Sequence, residues 1–222
     1  MSPKLTLYGT KLSAPVRTVL LTLKALKLEF EFQELNPFNK DQLQADFIKK
    51  NPQQTVPALE DDDQMIVDSH AIAAYLVSKY HKSYDDEKLY PKDFHARAIV
   101  DQRLYYEAAT LFATCLKQIT GAYGVLEQFL AHSLYMADEH LTIADFSIVS
   151  TVSTFDAALE PIDASKWPKL AVWLKRMEAL PYYADANGIG MKSYATLIHS
   201  KLPKQYEKLW KKALVDIKSG RQ

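Results

Sequence analysis

The spacing of apolar positions changes character along the chain. Up to Tyr80, short alternating runs are interleaved with helical stripes, whereas beyond Lys92 only helical spacing remains. Lys4 to Tyr8 alternates as a short strand, and Pro15 to Leu28 then places Val16, Val19, Leu20, Leu23 and Leu26 on one helical stripe. Strand alternation returns from Glu29 to Leu35, with Phe30 and Phe32 on one face. A short polar helix from Gln42 to Lys49 ends before Asn51-Pro52, because a residue preceding proline is disfavoured in helix. Two short strands, Ala58 to Glu60 and Met65 to Val67, flank the acidic turn Asp61-Asp62-Asp63, and a helix from Ser69 to Tyr80 closes the unit. The order βαβαββα predicts a small mixed sheet with helices packed on it.

An acidic stretch with Pro91 separates this unit from the rest, so the pattern predicts a first domain over residues 1–81, a linker over 82–93 and an all-helical domain over 94–222. The fold class is α+β. In the second domain a long helix is predicted from Phe94 to Thr120, with Ile99, Arg103, Tyr106, Thr110 and Ala113 near one face. The best-marked start is Leu141-Thr-Ile-Ala-Asp-Phe146. There Thr142 can cap the helix, Asp145 can bond back to the cap, and Leu141 and Phe146 occupy hydrophobic-staple positions. Helices from Lys166 to Leu180 and from Pro203 to Ser219 complete the prediction. The last repeats Leu202, Tyr206, Leu209, Trp210, Ala213, Leu214 and Ile217 at helical spacing and stops at Gly220.

Composition narrows the classes of partner. At 222 residues and 48% hydrophobic, the chain can build one large core or two modest ones. Its 27 basic and 27 acidic residues cancel, so no overall field favours nucleic acid or an anionic membrane. No apolar stretch approaches the roughly 20 residues that span a bilayer, and the N-terminus lacks a signal-like apolar segment. A cytoplasmic address is the expectation. A single cysteine, Cys115, excludes an internal disulfide and any paired-thiol redox motif.

Candidate chemistry lies at the ends of the first domain's strands. A proline just before the third strand, in Thr55-Val56-Pro57, is the thioredoxin-like arrangement and, if cis, exposes the Val56 backbone to an extended peptide ligand. Asp68-Ser69 opens the helix after the fourth strand, where free amides and the helix dipole favour an anion; Ser69 can add a hydroxyl to a carboxylate and Asp68 can take an ammonium. The two suit the α-amino acid end of a ligand, although taken alone they read first as a plain helix cap. Ser13, in Leu12-Ser13-Ala14-Pro15 at the start of the first helix, can donate to a thiolate with the helix dipole behind it. A free thiol near pKa 8.5 is mostly protonated at neutral pH, and lowering that value by about two favours the thiolate by about 2.7 kcal/mol.

Six segments together resemble the insect epsilon-class cytosolic glutathione transferases. They are Leu-Ser-Ala-Pro-Val-Arg at 12–17, Asn-Pro-Gln-Gln-Thr-Val-Pro at 51–57, Asp-Ser-His-Ala-Ile at 68–72, Leu-Tyr-Pro-Lys-Asp at 89–93, Leu-Thr-Ile-Ala-Asp-Phe-Ser at 141–147 and Leu-Pro-Tyr-Tyr at 180–183. The resemblance implies a thioredoxin-like glutathione-binding domain, a helical domain supplying an electrophile pocket, a homodimer, and conjugation of glutathione to small hydrophobic electrophiles without a metal. It implies that Ser13 activates the sulfur. Gln42, Gln54, Thr55, Val56, Pro57, Asp68, Ser69 and His70 would form the glutathione site, with His70 matching a position near the dimer axis. The electrophile pocket would draw on Leu12, Leu35, Tyr105, Phe112, Cys115, Leu116 and Ile119.

The chain departs from that pattern twice. The family usually has histidine where Gln42 and Gln54 stand, and an amide donates a hydrogen bond without becoming cationic. Glutathione affinity is the property this touches. After Thr120 the chain is several helical turns shorter than the pattern, and Thr120 to Gly124 leads almost directly into Val125 to Leu130. Either a deletion opens the electrophile pocket or the sequence lacks those residues. Two rival readings stand beside the main one: Tyr8 as the activating group, and a non-catalytic protein of the same fold that sequesters apolar ligands.

Overall fold

The computed structural model describes residues 5–35, 39–113 and 119–201. The first domain holds β1 (Leu5–Gly9), α1 (Ala14–Ala25), β2 (Glu31–Glu34), a single 3-10 turn (Asp41–Leu43), α2 (Ala45–Lys50), β3 (Ala58–Asp61), β4 (Gln64–Val67) and α3 (Ser69–Tyr80). The strands lie in the order β2-β1-β3-β4. β1 runs parallel to β2 and antiparallel to β3, and Leu7 stands opposite both Phe32 and Leu59. Strand alternation sends Leu5 and Leu7 into a core with Val16, Val19, Leu23, Ile72 and Leu76 from α1 and α3, and turns Thr6 and Tyr8 to the other face.

The second domain comprises α5 (Phe94–Tyr106), α6 (Ile119–Phe129), α7 (Ile143–Ala158), α8 (Pro168–Glu178) and α9 (Ile189–Lys201), and α4 (Tyr84–Glu87) lies in the predicted linker. α7 is buried on nearly every side, as its all-round apolar and small residues demand, and packs against α1 of the first domain, α5 and α9. Its start is the predicted capping box. The Asp145 carboxylate accepts from the Thr142 N–H and hydroxyl, both at 2.9 Å, and also from the Met136 N–H and the Trp173 indole, so it ties α7 to the preceding loop and to α8.

Two elements differ from the sequence pattern. The long helix predicted from Phe94 to Thr120 leaves α-geometry at Tyr106 for a π-helical turn over Glu107–Leu111, and α6 begins at Ile119. Such turns often mark functional sites. A second π-helical turn, Ala184–Gly188, runs into α9, a helix the pattern missed because Gly188 and Gly190 are poor helix formers. Gly190 is required by a close approach, since a Cβ there would lie 2.0 Å from the Lys11 carbonyl oxygen. The predicted helix from Pro203 to Ser219 lies outside the described residues.

Candidate active site

Two cavities lie where β1 and β4 hand over to α1 and α3. One, of about 270 Å³, is lined by Leu12, Ser13, Ala14 and Pro15 from the start of α1 and by Phe112, Thr151, Thr154, Phe155 and Tyr194 from the helical domain. The other, of about 300 Å³, is lined by Gln53, Thr55, Val56, Pro57, Asp68, Ser69, His70, Glu107 and Ala108. Pro15 and Phe112 line both, so the two form one bipartite site with a polar half and an apolar half.

Ser13 is the N-cap of α1. Its Oγ accepts from the Val16 N–H at 3.5 Å, and its own N–H closes a turn onto the Thr10 carbonyl at 3.0 Å. With an oxygen lone pair turned to the helix, the hydroxyl hydrogen is left to point outward, where an anion gains from both the donor and the helix dipole.

In the polar half, the Val56–Pro57 peptide is cis. The loop before it is organised by Asn51, whose Oδ1 accepts from the Gln53 N–H and whose amide donates to the Thr55 carbonyl. Asp68 caps α3 from a left-handed conformation (φ 72°), and its Oδ1 accepts from the N–H groups of His70 and Ala71. A non-glycine residue held at positive φ beside a cleft is a recognised mark of functional geometry. His70 turns toward the helical domain: its Nε2 lies 2.6 Å from the Ser147 hydroxyl and 3.0 Å from a Glu107 carboxylate oxygen, and Glu107 accepts from Thr151 at 2.5 Å.

The expected residues therefore divide. Ser13, Leu12 and Phe112 line the apolar half, and Thr55, Val56, Pro57, Asp68, Ser69 and His70 come together in the polar half. Gln54 is exposed at a positive φ, and Gln53 lines the cleft instead, because Asn51 fixes the loop one residue earlier than the motif suggests. Gln42 lines neither cavity; its Oε1 is buried and unpaired among the described residues. Leu35 follows β2 with its N–H on the Gly9 carbonyl and lines neither cavity. Tyr105 is 74% exposed on the outer face of α5, and Ile119 is fully buried in the helical core, so neither lines the pocket. Cys115 and Leu116 lie outside the described residues.

Sequence reasoning missed Glu107, Thr151, Thr154, Phe155 and Tyr194. An acid followed by Ala108-Ala109-Thr110-Leu111 in an apolar stretch was the available signal for Glu107. Tyr8 is elsewhere. Its hydroxyl donates to Glu60 at 2.6 Å and accepts from Lys50 at 3.0 Å on the opposite face of the sheet, and burial together with the bond to Glu60 raises its pKa.

A thioredoxin-like domain whose first-helix serine faces a second, helical domain defines a class of thiol-handling proteins, and comparison with known proteins places the chain within it. Residues 7–84 match the family described as glutathione S-transferase, N-terminal domain, and residues 96–176 match its C-terminal domain. Glutathione S-transferase 1 of Manduca sexta is 39% identical over 89% of this chain and 99% of its own length. Among solved structures, an epsilon-class glutathione S-transferase from the housefly, Musca domestica, is 49% identical, with a TM-score of 0.85 over 89% of this chain and 98% of that one. A glutathione transferase homolog from Drosophila mojavensis with bound glutathione is 44% identical, with a TM-score of 0.86 over 90% and 98% of the two chains. This chain belongs to the glutathione S-transferase family. Its likeness within that family runs to the insect epsilon class.

Proposed function

We propose that the chain conjugates glutathione to small apolar electrophiles, with the Ser13 hydroxyl donating to the glutathione sulfur. The γ-glutamyl end then rests on Asp68 and Ser69, the cysteinyl backbone runs along Val56, and the electrophile enters among Leu12, Phe112, Phe155 and Tyr194. The thiol proton passes to solvent; the thiolate attacks the electrophilic carbon, an S–C bond forms and the leaving group departs with its electron pair. Ser13 keeps its proton throughout. The observation that carries this reading is that Ser13 caps α1 while lining a cavity that shares Pro15 and Phe112 with the cleft holding Asp68 and Ser69. The same reading includes a homodimer and a cytoplasmic address. Among the described residues no helix is long and apolar enough to cross a membrane.

The test compares Ser13→Ala with Tyr8→Phe on a chloronitrobenzene substrate. Loss of the serine hydroxyl should lower conjugation at least tenfold, as removal of a donor aimed at developing charge does, whereas Tyr8→Phe should be mild. The reverse ranking would move the activating role to Tyr8.

A further inference from the structure

Arg17 lies one helical turn beyond Ser13 in α1, its N–H on the Ser13 carbonyl at 3.1 Å, and its side chain is fully buried. Among the described residues the guanidinium faces no carboxylate. Nε donates to Asn187 Oδ1 at 2.8 Å, Nη1 to the carbonyls of Lys11 at 3.1 Å and Leu12 at 2.9 Å, and Nη2 to the Ser150 carbonyl at 3.0 Å and the Thr154 hydroxyl. All five acceptors are neutral. Among the described residues the titratable groups that bear on it electrostatically are two phenols, Tyr183 before the second π-helical turn and Tyr194 on α9; α7 contributes only Ser150 and Thr154. Burial pushes the guanidinium down to about 10, which still leaves it cationic at neutral pH.

A buried charge with its hydrogen bonds satisfied but no counter-charge is costly for a fold to keep. Its surroundings connect it to the reacting atom in two ways. Two of its bonds hold the carbonyls of Lys11 and Leu12, the residues just before Ser13, and Gly190 presses α9 against the same Lys11 carbonyl, so the turn that presents Ser13 is clamped between the domains. Thr154, which accepts from Nη2, itself lines the cavity with Ser13. The positive charge is therefore one side chain away from the place where the sulfur would sit.

We propose that Arg17 is a positioning residue for thiolate formation, fixing the Lys11–Ser13 turn and supplying from behind Thr154 an unneutralised positive charge that favours the ionised sulfur. The proposal rests on the assignment of Ser13 as the sulfur's donor. A buried cation is weakly screened, so its influence reaches beyond contact distance.

The experiment titrates the ultraviolet thiolate absorbance of glutathione bound to the full chain, with thermal melting recorded alongside. Asn187→Asp is the sharpest variant, because it sets a negative charge on Nε while leaving the fork to the Lys11 and Leu12 carbonyls in place. It should raise the bound thiol's pKa by about one pH unit, a tenfold loss of thiolate below both values, without lowering the melting temperature. Arg17→Gln should produce a similar rise with a lower melting temperature, and Arg17→Lys should restore the thiol's pKa but not the melting temperature. A thiol pKa unchanged in Asn187→Asp, while Ser13→Ala raises it, would overturn the role of Arg17 and leave the serine assignment standing. An unchanged value in Ser13→Ala would remove the serine assignment and the proposal built on it. Since Asn187→Asp retains the guanidinium and all its acceptors, the outcome does not depend on Arg17 variants folding.

Discussion

Asp68 has two roles that a single atom can separate. One carboxylate oxygen caps α3 through the N–H groups of His70 and Ala71, and the carboxylate also faces the cleft proposed for the γ-glutamyl ammonium. Asp68→Asn preserves a side-chain oxygen for the cap but removes the charge, so it should keep the melting temperature nearly unchanged and raise the Michaelis constant for glutathione roughly tenfold, since a charge-assisted hydrogen bond is worth about 1.5 to 3 kcal/mol. Asp68→Ala should lose both. An unchanged Michaelis constant in the asparagine variant, read from initial rates at varied glutathione, would leave Asp68 a cap and nothing more. The places of Ser13 and Asp68 at helix caps and of Val56 before a turn proline could be read from sequence because cap and turn chemistry is local. Glu107, Thr154 and Tyr194 could not, because they reach the site only through the packing of the π-helical turn after α5, of α7 and of α9.

The helix that carries Asp68 and Ser69 is locked to the β3–β4 hairpin by a second acid. The Asp61 side chain is buried at the hairpin turn, where it accepts from Tyr75 at 2.5 Å, Tyr80 at 2.6 Å and the Lys79 ammonium at 2.7 Å, all from α3. Burial works against its charge, but the bonds from Lys79, Tyr75 and Tyr80 outweigh that and hold its pKa below the usual carboxylate value. A carboxylate with a depressed folded pKa contributes stability that is present above its unfolded value of about 3.9 and is lost as pH falls toward the folded one. Asp61→Asn should therefore cost about 2 kcal/mol at neutral pH, and the gap in melting temperature between variant and parent should narrow below about pH 4. A gap independent of pH, measured by calorimetry from neutral to acid, would mean the lock does not depend on the charge. At this scale the pattern located α1, α3 and the start of α7 well, because their apolar stripes and caps are self-contained. It missed α9, where Gly188 and Gly190 outweighed the stripe locally, and only the contact with the Lys11 carbonyl explains Gly190.

At the scale of the whole molecule, the outer face of α5 is one surface left without a partner within the described chain. Phe94 is 90% exposed and Tyr105 74%, with Ala98 exposed between them, so apolar groups stand exposed along the helix. Exposed aromatic faces of this kind mark association sites more often than ornament. The resemblance to the family had set Tyr105 in the electrophile pocket, but its exposure points it outward, where the proposed homodimer would cover it. Tyr105→Glu should weaken self-association in sedimentation velocity, because a charge would have to be buried at the contact, while the melting temperature stays near that of the parent since the phenol contributes nothing to the core. The Michaelis constant for the electrophile should be unaffected in whatever fraction remains dimeric. Unchanged sedimentation with a raised electrophile constant would instead return Tyr105 to the pocket and leave the α5 face without an assigned partner.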